Sequence, residues 1–153
     1  MRILMVCLGN ICRSPMADGL MRKKVQDNQL DVYVDSAGTA NYHVGGAPDT
    51  RMTATAKSKG IDISGLKARQ FIVSDFDAFD LIYVMDQSNF NNVVRLARNE
   101  TDIQKVQLIL ELRTSPHEIE VPDPYYGGQD GFEHVYQLLD ESTDIILKRL
   151  TNE

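Results

Sequence analysis

The stretch that most restricts what this chain can become is Val6-Cys7-Leu8-Gly9-Asn10-Ile11-Cys12-Arg13-Ser14-Pro15. An apolar run, Ile3 to Val6, leads into Cys7, and Ser14-Pro15 is a helix-start signal. Serine can cap, and proline fits the first helical turn, where a missing N–H costs nothing. The order is therefore strand, tight loop and helix, with five residues between a cysteine and an arginine. Loop amides and a helix N-terminus converge in such a turn and make a site for an anion. Cys7 stands where that anion's central atom would be attacked, and Arg13 offers a planar fork of donors for two phosphate oxygens. The same field favours negative charge on sulfur. The pattern reads as a cysteine that cleaves a phosphate ester, against the plainer reading of a buried structural cysteine and a surface arginine. It is not a nucleotide-binding loop, because the Gly-Lys-Ser/Thr ending is missing.

The rest of the chain alternates strands with helices. Residues 2–6 read as strand one, with a continuous apolar run over 3–6 as in a strand buried on both faces. Helix one is expected over 14–24, strand two over 31–36, and helix two over 49–59, stopped by Gly60. A short helix over 74–79, strand three over 81–85, helix three over 87–97 and strand four over 105–110 follow. Asp130-Gly-Phe-Glu133 resembles a capping box opening a last helix over about 131–150. Such alternation predicts an α/β fold, a parallel sheet with helices on both faces. Its ligand belongs beyond the C-terminal ends of the strands, where Cys7 begins.

Composition narrows the function. A chain of 153 residues, 42% hydrophobic and 25% charged, suits one globular domain spanning 1–153. Its net charge of −6 argues against recruitment by nucleic acid or an anionic membrane. An anionic substrate must then be drawn by a local positive site, which the Cys7–Arg13 loop supplies. No apolar run approaches a membrane span and the N-terminus lacks a secretory pattern, so the cytoplasm is the default compartment. Two cysteines in one loop make neither a secreted disulfide framework nor a four-ligand zinc site.

Cys7-Leu-Gly-Asn-Ile-Cys-Arg-Ser-Pro15 resembles the signature of the low-molecular-weight protein tyrosine phosphatases, and Asp123-Pro124-Tyr125-Tyr126 resembles their general-acid loop. Asp35-Ser36-Ala37-Gly38-Thr39, Ala68-Arg69-Gln70 and Met85-Asp86-Gln87-Ser88-Asn89 are similar to further family segments in matching order. The resemblance implies a three-layer fold around a four-stranded sheet. It also implies hydrolysis of phosphotyrosine in a protein substrate, with Cys7 as nucleophile, Arg13 holding phosphate and Asp123 as general acid and base. No metal or cofactor is required, and a monomer is the default. Leu8, Gly9, Asn10, Ile11, Cys12 and Ser14 then form the phosphate cradle, and Tyr42, Tyr125 and Tyr126 the aromatic walls. Asn10 and Ser36 are expected to brace the loop, Ser14 to donate a hydrogen bond to sulfur, and Gly9 to supply a conformation that a side chain would oppose. Asp86 either lies near the cleft or caps a helix. Members with the second cysteine can form a Cys7–Cys12 disulfide; the alternative is that Cys12 is a packing residue.

One position departs from the family pattern. Leu66 stands where many members carry a histidine that supports the loop asparagine, so an altered support is expected. His43, His117 and His134 read as surface or packing residues. Among rivals, an arsenate reductase would need further cysteines downstream, and none follows Cys12. A protein-arginine phosphatase would carry Thr at Ile11 and lack the Tyr125-Tyr126 pair. A dead binding module should have lost Cys7, Arg13 or Asp123, and all three are present.

Overall fold

The first strand, β1 (Arg2–Cys7), explains the architecture. Ile3, Leu4, Met5 and Val6 are all fully buried, so both faces of this strand must be covered. Ile3, Met5 and Cys7 face one apolar cluster and Leu4 and Val6 the other, as the alternation of a strand requires. The computed structural model describes residues 1–114, 118–125 and 127–152. In it β1 is flanked by β2 (Tyr33–Gly38) and β3 (Leu81–Val84), and β4 (Val106–Leu108) completes a parallel sheet of order β2-β1-β3-β4. Helices α1 (Arg13–Asp27), α2 (Thr50–Ser58) and α6 (Gln129–Thr151) supply the first cluster through Met16, Leu20, Met52, Phe132 and Leu139. Helices α3 (Asp75–Ala78) and α4 (Gln87–Val94) supply the second through Phe76 and Val93. The strand order reverses at β1, so its carboxyl end opens into the crevice of a topological switch point.

The expected elements are present with shifted ends. Helix α1 starts at Arg13, with Cys12 at the cap position and no side-chain cap bond, so Ser14 is not the cap. Its hydroxyl is engaged inside the loop instead. Helix α6 starts at Gln129 after Gly128, without the expected capping box; Asp130 lies within its first turn, where negative charge suits the dipole. Gln129 Nε2 donates to Thr55 Oγ1 at 2.9 Å, tying that start to α2. Strand β2 begins and ends two residues later than read, reaching Gly38 opposite Cys7. A short helix α5 (Glu100–Gln104), capped by Asn99, was not expected, and β4 gives way to a 3₁₀ turn at Ile109–Leu112. Among the described residues no helix is long and apolar enough to cross a membrane.

Helix α2 carries a testable acid dependence. The Asp49 carboxylate accepts from the Arg51 and Met52 amides at 2.8 and 3.3 Å and from the Arg51 guanidinium. Burial acts to raise its pKa, but the Arg51 side chain and the two amides outweigh burial and hold Asp49 below its ordinary value. A depressed carboxyl stabilises the fold above its unfolded pKa, and that contribution fades as pH falls through the folded value. Asp49→Ala is therefore expected to lower stability by about 0.5–2 kcal/mol at neutral pH. Urea unfolding should show the difference shrinking below about pH 4.

Candidate active site

Cys7 ends β1 at the base of a cleft of about 330 Å³. The residue is 3% exposed, with Ser14 Oγ 3.0 Å from Sγ and the Asn10 amide donating to Sγ at 3.3 Å. The loop turns back through Asn10, the residue in the left-handed region at φ 58°. Asparagine tolerates that conformation better than most residues, because its side chain bonds locally. Gly9 does not supply the positive φ; a Cβ there would lie 3.0 Å from the His43 ring. The tight approach is at Gly38, where a Cβ would lie 2.7 Å from the Leu8 carbonyl oxygen.

Asn10 sets the direction of the hydrogen bonds. Its Oδ1 accepts the Arg69 amide at 3.0 Å, and its Nδ2 donates to Ser14 Oγ at 2.8 Å. Having accepted that bond, the Ser14 hydroxyl has its proton free for the Cys7 sulfur; the Ala37 carbonyl is a distant competitor at 3.5 Å. Arg69 is itself held by Asp35 and Asp75 at 3.2 and 3.0 Å. The asparagine is thus braced on both sides without a histidine, and Leu66 packs against the apolar core instead. Ser36 does not join this chain: it faces Asp18 of α1, whose charged form it favours. Burial raises the Asp18 pKa, an effect that Arg22 and Ser36 only partly offset.

Arg13, 2% exposed, reaches the cleft from the first residue of α1. Its Nη1 donates to Asp86 Oδ2 at 2.7 Å and to the Val121 carbonyl at 3.0 Å, so one arm of the fork is fixed. Burial acts against its charge, yet Cys7, Asp86 and Asp123 outweigh burial and raise its pKa. Asp86 does both things considered for it, since its other oxygen caps α4 by accepting the Asn89 amide at 2.8 Å. Asp123 lies across the cleft with Oδ2 3.7 Å from Arg13 Nη2, and its Oδ1 accepts the Tyr125 amide at 3.0 Å.

The cleft is lined by Leu8, Gly9, Ile11, Cys12, Tyr42 and Tyr125 as well as by these groups. Tyr126 and His117 lie outside the described residues. Both cysteines are free thiols, and burial, followed by the carboxylate of Asp49, pushes Cys12 far above the usual thiol value. Two residues of the site escape a reading of the sequence. His43 lines the cleft, its ring 6.3 Å from that of Tyr125, and is not a mere surface residue. Arg51 donates to the Tyr125 carbonyl at 2.8 Å and lies 4.7 Å from the Phe132 ring, latching the Asp123 loop to α2. The Asp49-Thr50-Arg51 start of α2 was the available signal, but its partner is 74 residues away. Among the described residues no group of three or more His, Cys, Asp or Glu could hold a metal ion.

The family model for low molecular weight phosphotyrosine protein phosphatase matches residues 2–153. The chain belongs to that family. A Schizosaccharomyces pombe low molecular weight phosphotyrosine protein phosphatase is 42% identical, covering 95% of this chain and 94% of its own. A protein tyrosine phosphatase structure from Entamoeba histolytica superposes with a TM-score of 0.93 at 38% identity, covering 99% of this chain and 97% of that one. A Drosophila arginine phosphatase structure also superposes at 0.93, with 32% identity over 99% and 98% of the two chains. The same fold thus occurs in a protein named as a tyrosine phosphatase and in one named as an arginine phosphatase. The large apolar and aromatic side chains lining the cleft of this chain are Leu8, Ile11, Tyr42, His43 and Tyr125.

Proposed function

We propose that the chain, read as one phosphatase domain, hydrolyses phosphotyrosine in proteins through a phosphocysteine on Cys7. The observation that carries this reading is the convergence of Cys7 Sγ, the fixed Arg13 fork and the Asp123 carboxylate on one cleft. In the first step Cys7 sulfur, as thiolate, attacks phosphorus; the S–P bond forms as the bond from phosphorus to the phenolic oxygen breaks. Protonated Asp123 gives its proton to that departing oxygen. In the second step Asp123, now a carboxylate, takes a proton from water as the water oxygen attacks phosphorus, and the S–P bond breaks. Arg13 Nε and Nη2, which make no hydrogen bond among the described residues, together with the loop amides, offset charge on the equatorial oxygens.

The tyrosine walls support an aryl ester over a short alkyl one, because aromatic side chains favour contact with a phenyl ring. The test is hydrolysis of p-nitrophenyl phosphate beside phosphotyrosine, phosphoserine and phosphoarginine peptides. Preference for phosphotyrosine is expected; preference for phosphoarginine would overturn the substrate assignment. The hydrogen bond from Ser14 should matter most when the thiolate leaves phosphorus. Ser14→Ala is expected to slow turnover by about ten- to a hundredfold, the worth of a hydrogen bond to a charged group. Rapid-mixing kinetics should then show a larger burst of phenol, because breakdown of the phosphocysteine has become limiting.

A further inference from the structure

A second depression of about 470 Å³ adjoins the catalytic cleft and shares Leu8 and Tyr42 with it. Its wall is tied to the catalytic loop: the Thr39 amide donates to the Cys7 carbonyl and the Ala40 amide to the Leu8 carbonyl, both at 2.9 Å. The two hollows are therefore held in fixed relation. The chemistry of the second is distinct. Arg95, at the end of α4, lines it and is exposed, with no ion pair among the described residues, and no carboxylate is among its lining groups. Leu96 beside it is 43% exposed. Gln70 uses its Nε2 on the Thr39 carbonyl, which leaves its side-chain oxygen available, and the Thr39 hydroxyl has no hydrogen-bond partner. A local cation on a chain of net charge −6 marks where an anionic group is tolerated.

We infer that this groove is a substrate subsite that takes an acidic residue flanking the phosphotyrosine, with Arg95 as the group that selects it. The inference rests on the phosphotyrosine reading above. Two extended residues reach about 7 Å, so a short flank crosses the shared Leu8–Tyr42 wall while the ring stays in the cleft. Exposed ion pairs are weak, so the effect is one of selectivity: about a three- to fivefold gain in kcat/KM.

The test is a set of phosphotyrosine peptides with Glu, Gln or Lys placed in turn within three positions on either side. They are assayed against the native chain, Arg95→Gln and Arg95→Glu, with p-nitrophenyl phosphate as the flank-free control. The native chain should favour Glu at one or two positions, and added salt should shrink that preference. Arg95→Gln should abolish it and Arg95→Glu should turn it toward Lys, with p-nitrophenyl phosphate kinetics unchanged in both. A native chain indifferent to flank charge, or a Glu preference that survives Arg95→Glu, overturns the subsite. A native chain that cleaves p-nitrophenyl phosphate but no phosphotyrosine peptide overturns the functional reading itself, and that result needs no variant.

Discussion

Cys7→Ser is expected to abolish hydrolysis of every phosphate ester while preserving phosphotyrosine binding. Serine is close to cysteine in size, and its oxygen can keep the contacts that Sγ makes to Ser14 Oγ and the Asn10 amide. The Arg13 fork, held by Asp86 and Val121, does not depend on the sulfur. What is lost is the nucleophile, since an alcohol is barely ionised where a thiol readily gives up its proton. Steady-state assays should show no turnover above background, and calorimetry with a phosphotyrosine peptide should still report binding. Residual activity within about tenfold of native would mean that the chemistry does not pass through sulfur, a far smaller loss than removal of a nucleophile gives.

Asp123→Asn ranks second. The amide can still accept the Tyr125 N–H through its oxygen, so the loop should keep its shape, and Arg51 holds that loop independently through the Tyr125 carbonyl. An asparagine cannot deliver a proton to the departing phenol or take one from water. Turnover of phosphotyrosine peptides should fall by about 10²–10⁴-fold. The loss should be smaller for p-nitrophenyl phosphate, whose leaving group tolerates departure as an anion. Equal losses on both substrates would assign Asp123 to holding Arg13, from which it stands 3.7 Å, and not to proton transfer.

The features legible in the sequence are those written in local pattern. The apolar run into Cys7, the turn residues and the helix start lie within fifteen positions, so strand, loop and helix could be read together. The four parallel strands followed from alternation and family likeness, although their ends moved by one or two residues. Ser14 does not cap, although Ser-Pro carries the same signal whether the hydroxyl serves the helix or a neighbouring sulfur. Long-range contacts were not legible. Arg51 finds Tyr125 across 74 residues, and His43 meets the cleft only because the loop after β2 folds over Gly9. Ser36 matched a family segment, yet its face of β2 turns it toward Asp18, a choice made by strand register and not by local sequence.

The support of Asn10 has a consequence for how rates should be read. Its partners are a serine hydroxyl and a main-chain N–H, neither of which changes its charge between mildly acidic and mildly alkaline conditions. A scaffold leaning on an imidazole would soften as that ring gained charge, blending changes of shape into every rate-versus-acidity curve. Here Leu66 removes that source of mixing. Changes of rate with acidity should thus report on the groups that line the cleft and not on the support of its loop.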